Sequence, residues 1–120
     1  MMRRMTFEEF QYLMMAGIDS EISEGICQAM QTLSGRWRLP ILYVIFQSSG
    51  LRFNEIKRQL KDITSRQLII ELRQLEEMDF VSKSKSESDD SISLYSLKQK
   101  GSDLIYLFYD YMNWANTYAQ

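Results

Sequence analysis

Between Phe53 and Leu75 the apolar residues fall into two short runs at helical spacing, separated by the three residues "KDI". In "RFNEIKRQL" (52–60), Phe53, Ile56 and Leu60 follow one another by three and four, so they share one stripe of a short helix while Lys57, Arg58 and the following Lys61 point elsewhere. In the next run Leu68, Leu72 and Leu75 repeat the pattern by four and three. Thr64, with Gln67 three residues on, supplies a capping box at its start, and the helix is predicted to reach about Met78. Ser65, Arg66, Ile69, Ile70 and Arg73 fall largely outside the core stripe. Two short helices joined by so tight a turn, with a basic exposed face, spell a helix-turn-helix whose second helix would enter a major groove.

The flanking segments add to this unit. "TFEEFQYLMM" opens on Thr6 with Glu9 three residues later, a capping box that predicts an amphipathic helix ending near Gly17, and a second helix is predicted over about Ser23–Leu33. "RWRLPILYVIFQSS" reads as a mostly buried helix, with Pro40 tolerated near its first turn and Gly50 closing it. "FVSKSK" and "ISLYSL" are β-compatible runs around the turn "SESDDS", so a hairpin follows the second helix of the pair, the position of a wing. The expected fold is therefore mainly α with a small β-hairpin: one winged helix-turn-helix domain over 1–120. It has an N-terminal helical extension at about 6–17, a wing at about 80–97 and a C-terminal helix at about 99–118.

That last helix carries Tyr106, Phe108, Tyr109, Tyr111, Trp114 and Tyr118. Leu104, Phe108, Tyr111, Ala115 and Tyr118 make one stripe, and the remaining aromatics cover more circumference than a small domain can bury. A dimer interface is the first reading of this excess; packing on the protein's own first helix or a ligand pocket is the second.

Charge is distributed unevenly along a chain whose net charge is −2. Residues 36–73 hold eight basic and three acidic side chains, against two and five in 1–35 and four and eight in 74–120. A basic module between acidic flanks is the electrostatic footprint of nucleic-acid binding, although a solvated helix surface would look the same by charge alone. The absence of histidine and the single cysteine, Cys27, leave zinc without its usual ligands, exclude an internal disulfide and remove the commonest general base. An enzyme is not expected, nor a cofactor. The longest apolar run, "LPILYVIF", stops at eight residues against the roughly 18 to 20 of a membrane helix, and "MMRRMTFEEFQYLMM" lacks the apolar stretch of a secretory signal, so a soluble cytoplasmic protein with no membrane partner is expected.

Taken together, "LSGRWRLPIL", "RFNEIKRQL", "ITSRQLIIELRQLEE" and "YSLKQKG" resemble the successive motifs of HxlR-type bacterial transcription regulators, over roughly residues 24–115. The resemblance implies a homodimer held by N- and C-terminal helices, with two reading helices meeting a palindromic operator in double-stranded DNA. It makes Trp37 a core anchor and Arg52 a phosphate contact ahead of the core residues Phe53 and Ile56. It matches Ile63-Thr64-Ser65-Arg66 to an Ile-Ser-Pro-Arg turn, with Ser65 where proline is usual. The candidate DNA-binding residues are Arg52, Lys57, Arg58, Lys61, Thr64, Ser65, Arg66, Gln67, Ile69, Ile70 and Arg73, joined by Lys83 and Lys85 on the wing.

The chain also departs from the family. Ile69, Ile70 and Glu71 stand where polar or basic residues are usual, Lys98 stands in place of a capping threonine, and Glu87, Asp89 and Asp90 make the wing tip acidic. These features support an alternative, a winged-helix dimer used for protein interaction or small-molecule sensing with weak or lost DNA binding. Some relatives sense oxidants through a cysteine near the position of Glu24; Cys27 sits about one turn later, beside Ile26, Met30 and Leu33, and reads first as a buried small apolar residue and second as a redox site. The effector is left open.

Overall fold

The computed structural model describes residues 4–15 and 35–119. The chain divides into two compact units, Met1–Gly35 and Arg36–Gln120. In the first, helix α1 spans Phe7–Met15. Its capping box forms as expected: the Glu9 amide donates to Thr6 Oγ1 at 3.1 Å, and Glu9 Oε1 accepts from the Thr6 amide at 3.4 Å. Phe7, Phe10, Tyr12, Met14 and Met15 on this helix are exposed. The helix predicted at Ser23–Leu33, and Cys27 within it, lie outside the described residues.

The second unit begins with α2, Arg38–Phe46. Its first intrahelical bond runs from the Ile41 amide to the Trp37 carbonyl at 2.9 Å, so Pro40, just before it, gives up no hydrogen bond the helix needs. Ile41, Leu42, Val44 and Ile45 are all buried, which makes α2 the central helix of the unit. Trp37 is half-buried against the core, with the Arg36 guanidinium 4.7 Å from its ring centroid. The helix stops at Phe46, earlier than Gly50. Ser48 takes over there: its hydroxyl accepts from the Gly50 amide and donates to the Gly50 carbonyl, both at 3.1 Å, a local turn that competes with further helix.

Helices α3, Phe53–Leu60, and α4, Ser65–Glu77, follow. Ile56 of α3 and Leu68, Leu72 and Leu75 of α4 are buried, and Phe53 and Leu60 pack half-buried against them. The joint between the helices is tight: Lys61 has φ 63° and ψ −68°, and the Asp62 amide reaches back to the Leu60 carbonyl at 2.7 Å, a γ-turn centred on a lysine. Ile63 fills the core from within the turn. At its far end α4 closes in a Schellman motif. Asp79 takes φ 64°, its amide meets the Glu76 carbonyl at 3.1 Å, and the Phe80 amide meets the Leu75 carbonyl at 2.9 Å.

Strands β1, Val81–Lys85, and β2, Ser93–Leu97, pair antiparallel in the register Val81 with Leu97 through Lys85 with Ser93. Leu51, two residues before α3, bridges the other edge of β2: its amide donates to the Tyr95 carbonyl at 2.9 Å and the Tyr95 amide donates back at 2.8 Å. Helix α5, Gln99–Tyr118, then crosses back over the core. Only its first half is held there. Gly101 and Leu104 are buried and Ile105 and Phe108 half-buried, and Tyr106 meets Phe46 edge to face with centroids 5.6 Å apart. The expected stripe does not stay covered: Ala115 is half-buried, but Tyr111 and Tyr118 are 56% and 71% exposed, because the helix outruns the core beneath it.

Gly101 is where α5 comes closest to the rest of the unit. A Cβ there would stand 2.7 Å from the Phe80 carbonyl oxygen, the same oxygen that accepts from the Lys98 amide at 2.9 Å. Exchanging a helical glycine for alanine ordinarily stabilises by up to about 1 kcal/mol. Here the added methyl must push backbone apart, so Gly101→Ala is expected to lower the unfolding free energy by about 1 to 3 kcal/mol in a urea titration.

Candidate nucleic-acid interface

Arg52, Arg58, Lys61, Arg66 and Arg73 are exposed on α3, α4 and the turns beside them, and Lys83 and Lys85 on the hairpin. Thr64 caps α4, its hydroxyl accepting from the Gln67 amide at 3.0 Å, and no acidic side chain lies in the helix's first turn. The positive end of the helix dipole is therefore not compensated from within that turn. The other half of the expected capping box does not form: Gln67 turns its amide nitrogen to Glu71 Oε1 at 3.0 Å, a partner one turn along the same face. Ser65 and Arg66 are exposed in that first turn, and Arg73 is exposed two turns on. Among the described residues no hydrogen bond or ion pair engages the guanidinium of Arg66.

Beside α4, a groove of about 660 Å³ opens between the start of α3 and the hairpin. Arg52, Arg58 and Lys83 line it with positive charge, and Phe53, Ile69 and Tyr95 give it apolar walls. Glu55 also lines it, but its carboxylate is held by the Arg52 amide at 2.9 Å, capping α3. Lys83 lies over the Tyr95 ring at 5.8 Å from its centroid. The structure thus brings Arg52, Arg58, Ile69 and Lys83 together. Lys57 is half-buried, more enclosed than its place off the apolar stripe suggested, while Lys61 is exposed on the turn. Ile70 belongs to the outer face of α4, away from the groove lining.

The hairpin tip is ordered by its own polar groups. Asp89 Oδ1 accepts from the Ser91 amide at 2.9 Å and the Ser91 hydroxyl at 2.8 Å, and the Lys85 ammonium donates to the Asp90 carbonyl at 3.0 Å. Those two Ser91 donors hold the Asp89 carboxyl below the usual carboxylate range, and the Arg52 guanidinium adds a smaller pull in the same direction. Lys85 is accordingly tied into the tip, and Lys83 is the wing lysine that faces the groove. Lys98, at the start of α5, makes no capping hydrogen bond with its side chain and instead pairs with Asp79 at 3.2 Å.

Sequence reasoning missed the pairing of Leu51 with Tyr95, a residue that lines the groove. One apolar residue after "SSG" is too short to register as a strand, and only its partner in "ISLYSL" shows alternation. Among the described residues there is no helix long and apolar enough to cross a membrane, and no cluster of three or more His, Cys, Asp or Glu able to hold a metal ion.

Comparison with known proteins agrees with this geometry. Residues 32–120 match the model of the HxlR-like helix-turn-helix family. An uncharacterized HTH-type transcriptional regulator of Halalkalibacterium halodurans is 27% identical over 86 residues, covering 72% of this chain and 76% of the relative. A transcriptional regulator attributed to the MarR family from Enterococcus faecalis superposes with a TM-score of 0.71 at 29% identity, over 85% of this chain and 90% of that one. The reduced form of the transcriptional regulator YodB from B. subtilis shares the fold with a TM-score of 0.70 at 23% identity, over 85% and 95% of the two chains. With a helix-turn-helix, a hairpin wing and a family match spanning all of them, this chain belongs to the HxlR-like helix-turn-helix family of winged-helix, DNA-binding transcriptional regulators.

Proposed function

We propose that this regulator acts as a homodimer on a palindromic operator, with α4 as the reading helix and the groove beside it following the phosphate backbone. The observation that supports the reading is a set of exposed cations on neighbouring elements: Arg66 and Arg73 on α4, and Arg52, Arg58 and Lys83 around the groove. Arg66, at the open end of a helix without acidic residues in its first turn, is the strongest candidate for a base or phosphate contact. Lys57, Lys61, Thr64, Ser65 and Gln67 would position the helix against the backbone, and Lys85 would do so at the wing.

The dimer part of the proposal rests on apolar surface. Along α5, Phe108, Tyr111, Trp114 and Tyr118 form a chain of ring contacts with centroids 5.8–6.1 Å apart, most of it facing water. The exposed Phe7, Phe10 and Met15 of α1 extend the same argument. Such a surface on a 14.3 kDa chain is the mark of an interface. A second reading, a dimer used for protein interaction or small-molecule sensing, draws on the exposed Glu87, Asp89 and Asp90 at the wing tip, which phosphates would repel.

Light scattering at micromolar concentration is expected to give twice the chain mass; a stable, well-folded monomer would refute the dimer. Two half-sites with about three phosphate contacts each should give a slope of log K against log salt near about −5, whereas a slope near zero would favour the second reading. Arg66→Ala is expected to cost about 1 to 3 kcal/mol of DNA affinity per half-site while leaving the melting temperature nearly unchanged. Equal affinities of wild type and variant for a selected operator would remove Arg66 from the interface.

A further inference from the structure

Ile70 occupies an unusual place for an isoleucine. At 3.6 residues per turn it lies about 165° from the mean direction of Leu68, Leu72 and Leu75, so it points straight away from the core, while Ile69 lies about 95° away and turns toward the groove. Ile70 is 40% exposed, and at helical spacing it sits between Arg66 and Arg73 as the middle of an outward row. Two polar side chains beside it, Gln67 and Glu71, bond each other on the flank of the helix. The central position of the outward face is thus given to a side chain that can neither donate nor accept a hydrogen bond.

In the major groove each base edge offers hydrogen-bonding groups, and thymine alone adds an apolar one, its C5 methyl. An isoleucine pressed on the amino group of cytosine or adenine would strip it of water without replacing the lost hydrogen bond, a penalty that a methyl does not incur. Arg66 and Arg73, one turn to either side, supply the polar and ionic contacts that seat the helix. Resting on the DNA-binding reading of α4 proposed above, we infer that Ile70 is a specificity-determining residue that reads a thymine methyl in each half-site. Ile70 then narrows the operator and does not abolish reading.

The test uses the full chain and a duplex operator selected by it from a random pool, with each thymine replaced in turn by deoxyuridine, which removes the methyl and leaves every hydrogen-bonding group. Wild type should weaken at one thymine per half-site, by about fourfold for one methyl and about fifteenfold for both halves, the size expected for one buried carbon at each. Ile70→Ala should bind the thymine and deoxyuridine operators equally. Arg66→Ala should bind both more weakly and keep the ratio between them. Because the deoxyuridine series is read with unaltered protein, it does not depend on the folding of a variant. Salt-dependent binding in which every replacement stays within twofold would overturn the inference and leave the DNA-binding reading standing, as would an Ile70→Ala protein that keeps the wild-type discrimination. Selection of no duplex at all would overturn both.

Discussion

Two hydrogen bonds between Leu51 and Tyr95 decide where everything else in the second unit can stand. Tyr95 is paired on both sides, with Leu51 on one edge and Lys83 on the other, so β2 is the middle strand of a minimal sheet although the third strand is one residue long. Leu51 stands two residues before α3, and β1 begins two residues after Asp79 at the end of α4. The helix pair is therefore tied to the same strand at its entrance and its exit. This closure holds the groove together: Arg52 caps α3 and Arg58 lies within it, while Ile69 comes from α4 and Lys83 from β1. A cost is stored in the joint, where Lys61 holds a backbone conformation that favours glycine, of the order of 1 to 3 kcal/mol.

Much of this was legible because it is local. The stripe of Leu68, Leu72 and Leu75, the Thr64 and Thr6 caps and the hairpin around "SESDDS" each depend on residues within a turn or two of one another. What failed to show depends on competition or on distance. Gln67 could satisfy the Thr64 amide or Glu71, and spacing cannot rank the two. Nothing about a lysine signals a γ-turn; Lys61 is forced into one because Leu60 and Ile63 must both reach the core across three residues. The Leu51 bridge joins residues 44 positions apart, beyond any local pattern. The candidate site divides the same way: exposure of Arg66, Ile70 and Arg73 followed from periodicity, whereas the grouping of Arg52, Arg58 and Lys83 around a common groove needed the sheet.

The electrostatics gain meaning from the same closure. A net charge of −2 gives the molecule no general attraction for nucleic acid, so any such attraction must come from local concentration of cations. Folding supplies it by bringing wing residue Lys83 into the basic segment 36–73. It also engages part of the opposing charge: Asp89 is hydrogen-bonded by Ser91 at the hairpin tip, and Asp79 is paired with Lys98 at the exit of α4. The acidic tip is a selective element under this view, repelling a backbone that approaches the wing end-on and leaving the α4 face as the favourable approach.

If α4 is the reading helix, it is an economical one, and α5 matters to it. On the proposed mode of binding, α4 offers Arg66, Ile70 and Arg73 to base edges, too few contacts for one half-site to compete with a genome of non-specific phosphate. Joining two such helices converts the second encounter into an intramolecular one and multiplies modest affinities without a new kind of contact. That gain depends on the rigidity of the connection. α5 has the means to provide it: its first half is locked to the core through Gly101 and Leu104, while its second half, in the same unbroken helix, carries Tyr111, Trp114 and Tyr118 out into solvent. A helix of 20 residues spans about 30 Å, so a partner gripping the aromatic end would have its reading helix fixed relative to this one through continuous backbone, with no flexible linker between interface and site.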